Sequence, residues 1–206
     1  MRAPLGDPRE QIAALRLIRT PHVGAITWRE LVRRCGGASA ALDALPDLAR
    51  RGGRLVTLCP RAKAESELAE LRRLGARLVV LGDGEYPASL AAIDDAPPVL
   101  ALRGDGAVLA RPTVAIVGAR NASLNGVRVA RRLAADLAAA GCAIVSGLAR
   151  GIDTAAHDAA GPEATVAVLA GRRRAQRCRS RARAPRRSCN RRRRGRRQGA
   201  ARRVRR

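Results

Sequence analysis

Two short stretches carry the side chains whose types and spacing could do chemistry. The first, GARNASLNG over residues 118–126, joins a close-turning glycine (Gly118), a forked cation (Arg120) and two residues able to cap a helix, Ser123 and Asn125. A dinucleotide fingerprint wants a second glycine at position 120, so that a pyrophosphate can approach the backbone. Arginine stands there instead, which argues against NAD and for a phosphate held further out by a side chain. The second stretch, SGLARGID over residues 146–153, sets Ser146 and Gly147 at the end of an apolar run, then Arg150 and Gly151 before a helical pattern. Backbone N–H groups, the Ser146 hydroxyl and two arginines are expected to converge on one edge as an anion site. The plainer alternative is that the glycines only permit tight turns and Arg150 faces water. Asp153 and His157, four apart, share one helical face. A metal would need a third ligand that the region does not offer, so Asp153 is expected to cap the Gly151 loop. No catalytic residue, metal or cofactor is expected.

These loops must be positioned by the elements around them. TVAIVG (113–118), CAIVSG (142–147) and TVAVLAG (165–171) read as buried strands. GVRVARRLAADLAAAG, ended by Gly141, and GIDTAAHDAAG, ended by Gly161, read as helices between them. Strands alternating with helices mean βαβ units, hence a parallel, Rossmann-like sheet covered on both faces, with ligands gathering beyond the strands' carboxyl ends. Upstream, Glu65–Arg73 predicts a helix, and Leu78–Leu81 and Val99–Leu102 predict strands around a Pro-rich connector. Residues 1–60 read as a small helical domain. Asp7 and Pro8 start its first helix, Ile12, Leu15 and Leu17 or Ile18 line its inner face, and a second helix runs from about Thr27 to Arg34 and stops at Gly36. ASAALDALPDLARRGG supplies one or two short helices more. Trp28 and the leucines should form a miniature core; a helix-hairpin-helix touching DNA phosphates through the PHVGA turn is the sharper alternative.

The formal net charge is +24, yet residues 172–206 alone hold 19 arginines and no acidic residue, leaving 22 basic against 17 acidic side chains in residues 1–171. The extreme basicity therefore belongs to the tail. Two readings compete there: a basic arm for nucleic acid, and translation of a wrong reading frame after Gly171, expected because the run begins where a three-stranded sheet still has an uncovered edge. Cys35, Cys59 and Cys142 stand singly, Cys178 and Cys189 lie in the tail, and no C-x-x-C pair occurs, which fits reduced thiols. With no membrane-spanning apolar run and no signal-peptide core, a cytoplasmic location is expected.

Three ordered motifs give the chain a resemblance: YP-x-x-L-x-x-I-x-D-x-P-x-x-L-x-x-x-G (Tyr86 to Gly104), VAIVGAR-x-x-S (Val114 to Ser123) and IVSGLARGID-x-x-AH (Ile144 to His157). Together they resemble the DNA-processing protein A family, also called DprA or Smf, over residues 65–171, with a weaker likeness of residues 1–60 to that family's sterile-alpha-motif-like domain. The resemblance implies a non-enzymatic, Rossmann-like binder of single-stranded DNA. Such a protein protects incoming strands in natural transformation, helps load the RecA recombinase, and often works as a homodimer. It also implies DNA contacts at Arg120 and Arg150, together with Gly118 and Gly147. Ala119 departs from the family's serine. The larger departure follows Gly171, where family members continue with further strands and a dimer surface; the arginine-rich run in their place argues against dimerisation here.

Single-strand binders usually stack bases on aromatic rings, and this chain has one Trp, one Tyr and no Phe. Binding is therefore expected to rest on phosphates, salt-sensitive and nearly sequence-blind. Two rivals stand beside it. One is a nucleotide-processing enzyme of the nucleoside-monophosphate hydrolase type, whose P-G-G-x-G-T-x-x-E motif has no match in the chain. The other is a non-functional gene fragment.

Overall fold

The computed structural model describes residues 7–53 and 55–170. Asp7 accepts a hydrogen bond from Arg9 N and Pro8 occupies the first turn of α1 (Pro8–Arg19), as the sequence predicts. A tight turn at 20–24 leads to α2 (Ala25–Cys35), which Gly36 ends in the left-handed conformation, φ 85°. The third segment is one helix, α3 (Ala38–Arg51), running through Pro46 where one or two short helices were expected. Its N-cap Gly37 has no side chain, and the carboxylate of Glu10 on α1 takes that place by accepting from Ala38 N (2.8 Å) and Ser39 N (3.2 Å). Trp28 is buried between these helices and donates its indole N–H to Ala14 O, 3.2 Å away, among Leu17, Leu31, Leu42 and Leu45. That is the miniature core anticipated from the sequence.

Next come α4 (Arg61–Arg73), β1 (Ala76–Val80), the single-turn α5 (Ala88–Ala91) and β2 (Val99–Arg103). β1 and β2 pair antiparallel, Ala76 opposite Arg103. They form a two-stranded sheet separate from the parallel one, packed through Leu78 against Leu15, Leu68 and Leu71. Arg19 and Glu67 form a two-pronged ion pair from α1 to α4 (2.8 and 3.2 Å). Arg29 on α2 donates to the carbonyl of Ala91, the last residue of α5, and to Ile93 O just beyond it.

A 3-10 turn at Ala107–Ala110 precedes the second half: β3 (Thr113–Ala115), α6 (Leu124–Ala139), β4 (Ala143–Ser146), α7 (Ile152–Ala160) and β5 (Thr165–Ala167). The three strands lie parallel in the order β3-β4-β5. Ile116 and Ile144 pack with Ala134 of α6 and Ala156 of α7, whose small side chains bring both helices close to the sheet. The expected cover on both faces is corrected by this topology. Successive right-handed crossovers that step one way across a sheet land on the same face, and the other is covered only when the chain turns back past its first strand. Among the described residues α6 and α7 share one face. Val117 and Val168, just beyond β3 and β5, are 73% and 62% exposed. The described residues up to Val168 fall in one compact unit. The arginine-rich run, with both readings of it, lies outside the described residues.

Candidate nucleic-acid interface

The carboxyl ends of β3 and β4 open into the two loops picked out from the sequence, and the loops lock together. Ile152 N donates to Ala119 O across 3.3 Å. Gly151 lies so close to the first loop that a methyl group on it would overlap Ala119 O and sit 2.7 Å from Arg120 O. Gly118 makes the reciprocal contact: a methyl there would be 2.7 Å from Ile152 Cγ1. Arg120 and Arg150 are thus borne by touching segments, ahead of the N-termini of α6 and α7, where the helix dipoles favour an anion. Both side chains are exposed, and neither has a hydrogen-bond or ion-pair partner among the described residues.

The remaining predicted site residues divide. Ser123 caps α6, its hydroxyl oxygen accepting from Gly126 N at 3.1 Å, and it is exposed beside Arg120. Ser146 does not face the loops. It is buried, and its hydroxyl donates to Ile116 O at 2.6 Å, a cross-strand bond that replaces the expected anion contact. Gly147 is in the loop, but its N–H is directed inward to Asp153 Oδ2 (3.1 Å), so this amide belongs to a buried carboxylate rather than to an open anion nest. Asp153 caps the Gly151 loop, as expected, by accepting from Gly147 N and Ala149 N at the loop's start. What the geometry offers a phosphate is therefore mostly side-chain charge.

His157 is buried one turn further along α7. Thr165 donates its hydroxyl to Ile144 O, which leaves the threonine oxygen to accept from His157 Nδ1 and assigns the proton to that nitrogen. His157 Nε2 is buried without a hydrogen-bond partner among the described residues. Burial pushes the imidazole below its ordinary value, against the opposing pull of the Asp153 carboxylate. Among the described residues no group of three or more His, Cys, Asp or Glu side chains could hold a metal.

Two features escaped the sequence reading. Ile152 is the wedge that seats one loop on the other, signalled only by a β-branched residue directly after glycine. Arg128, one turn into α6, is exposed without a partner among the described residues, whereas Arg131 pairs with Asp158 and Arg132 with Asp136. The three look alike in sequence, and the helix face separates them.

The family profile described as DNA recombination-mediator protein A matches residues 77–185, more than half of the chain and both arginine loops with it. The chain belongs to that family. A second profile, the DprA-like N-terminal HHH domain, matches residues 8–69. The chain is similar to the DNA processing protein DprA of Bacillus subtilis, at 36% identity over 107 residues, covering 50% of this chain and 36% of that one. It is similar to Protein Smf of Escherichia coli at 40% identity over 101 residues, covering 49% and 27%. The chain thus spans about a third of the length of the curated relatives it matches, or less. The X-ray structure of DprA from Streptococcus pneumoniae shares the fold, with a TM-score of 0.52 at 23% identity over 82% of this chain and 58% of that one. A structure of DNA processing protein A from Helicobacter pylori, described for its single-stranded DNA binding mode, matches at 31% identity over 47% of this chain and 44% of that one, TM-score 0.41. Family membership and the α/β fold with a small helical domain ahead of a parallel sheet agree with the sequence reading. No helix among the described residues is long and apolar enough to cross a membrane.

Proposed function

We propose that the chain binds single-stranded DNA without chemical conversion of it, through Arg120 and Arg150 acting on consecutive phosphates, with Gly118, Gly147 and Gly151 shaping the loops and Ser123 beside them. The observation that carries this reading is the pair of unpartnered guanidinium groups on two interlocked loops at the strands' carboxyl ends. Family membership supports it, and so does the scarcity of aromatic rings, which leaves phosphate charge as the main source of affinity. In this reading the partner is the RecA recombinase, loaded onto strands taken up in natural transformation.

Anisotropy of a labelled oligo-dT, titrated with the purified chain across a salt series, tests the proposal. Arg120→Ala and Arg150→Ala should each weaken binding by about 1–3 kcal/mol, the range for one charge-assisted hydrogen bond. Each should also flatten the plot of log K against log salt by about 0.7 for every phosphate contact removed. The arginines of residues 172–206 contribute a background common to every variant, so the differences report the loops. NAD should not compete. Unchanged affinity and slope in both variants would sink the reading.

A further inference from the structure

We propose that Asp153 is a positioning residue for Arg150: its buried carboxylate sets the bend from which the second loop presents a guanidinium to phosphate. The inference rests on the proposed function and names how that site is held in shape. Asp153 is 6% exposed, and its Oδ2 alone accepts from Gly147 N at 3.1 Å and Ala149 N at 3.3 Å. Leu148, between those amides, has φ 56°, a left-handed conformation that side-chain-bearing residues adopt at a cost. Such a conformation persists where its surroundings over-determine it, and two hydrogen bonds from the flanking amides to one fixed oxygen do so. The next residue on α7 completes the clamp, since Thr154 donates both its hydroxyl (2.7 Å) and its backbone N–H (3.1 Å) to Ala149 O. Ala149 is therefore held at its N–H by Asp153 and at its carbonyl by Thr154, which fixes the peptide leading into Arg150. Beyond Arg150, the chain is seated on the first loop through Gly151 and Ile152.

This role and a simple field effect predict opposite signs. A carboxylate near a phosphate site repels the ligand, so a field role means that its removal tightens binding. A positioning role means that removal loosens the loop and weakens binding although a negative charge has gone.

The experiment titrates labelled oligo-dT with the full chain and four variants: Asp153→Ala, Asp153→Asn, Arg150→Ala and the double variant Asp153→Ala/Arg150→Ala. Asp153→Ala should weaken binding by roughly three- to tenfold, the scale of the net contribution of one ordinary hydrogen bond, because the carboxylate acts on the ligand only through Arg150. Asp153→Asn, whose amide oxygen can take both N–H groups, should restore most of the affinity. In the Arg150→Ala background the Asp153→Ala loss should vanish, because the two residues act through one contact. Asp153→Ala binding as tightly as the parent or tighter, or losing as much with Arg150 absent as with it present, would overturn the inference while leaving the phosphate site standing. Arg150→Ala binding like the parent would instead sink the phosphate site and this inference with it. Should Asp153→Ala not fold by circular dichroism, Asp153→Glu carries the same test. It keeps the charge and shifts the acceptor by one methylene, so it should also weaken binding only while Arg150 is present; parental affinity for it overturns the proposal.

Discussion

Gly151 holds φ 87° and ψ −126°, a conformation that a side chain resists, and it does so where the neighbouring loop leaves no room for a Cβ. Both penalties fall on Gly151→Ala. We expect it to lower unfolding free energy by roughly 2–4 kcal/mol, measured as a drop in the urea midpoint at unchanged slope. His157 makes a second residue-level prediction. Its folded-state value lies below the ordinary histidine value of about 6.5, because burial disfavours the charged ring. On acidification the unfolded chain therefore takes up the proton first. The stability this residue contributes is complete above about pH 6.5 and is lost as pH falls through the depressed folded value. Melting temperatures from pH 7.5 down to pH 5 should fall across this window, and His157→Asn should remove that part of the slope. Glu30 and Glu85, held below the usual carboxylate value by Arg33 and Arg77, titrate lower and stay out of the window.

At the scale of elements, α3 shows a helix end completed from elsewhere in the fold. Its own N-cap is a glycine, and the Glu10 carboxylate reaches over from α1 to take two of the amides at its start. Glu10→Ala should cost about 1–2 kcal/mol, the scale of a lost N-cap, read in the same urea titrations. Elements of this kind also show what the sequence could and could not reveal. The alternation of apolar runs with helical patterns was enough for β3, α6, β4, α7 and β5, with Gly161 marking the end of α7 as Asp7 and Pro8 mark the start of α1 and Gly36 the end of α2, because these signals are local. The placement of β1 and β2 in a sheet of their own was not legible, since pairing depends on partners distant in the chain. Whether the segment around Pro46 makes one helix or two stays open in the sequence, because a proline inside a helical pattern reads as a break; the structure makes it one, α3. In the candidate site, the position of Arg120 and Arg150 followed from fold logic. Ser146 misled, because a strand-end serine looks the same whether it turns to a ligand or to the carbonyl of a neighbouring strand. Arg128 went unseen because only the packed helix shows which of three arginines lacks a carboxylate.

Across the described residues run three hydrophobic clusters: one among α1–α3, one between α1, α4 and β1 that borders the first through Ile18, Val80 and Val99, and one between the parallel sheet and the helices on its single covered face. The third is the smallest, four buried residues of which two are alanines. So little buried area gives weak resistance to local opening, and the interlock at the strand ends must supply part of what the core does not. The lock joins the start of α7 to the segment ahead of α6: Ile152 N is closed by Ala119 O, and Gly147 N and Ala149 N by a carboxylate on the residue after Ile152. None of these amides can meet solvent unless the same few residues part. In a native-state hydrogen-exchange experiment the three should exchange with one common opening free energy, lower than that of Leu17 or Trp28 in the helical core, and Gly151→Ala should lower all three together. Three unrelated rates would mean that the loops breathe independently. A shared rate would make the presentation of Arg120 and Arg150 a two-state property: both arginines offered at once, or neither.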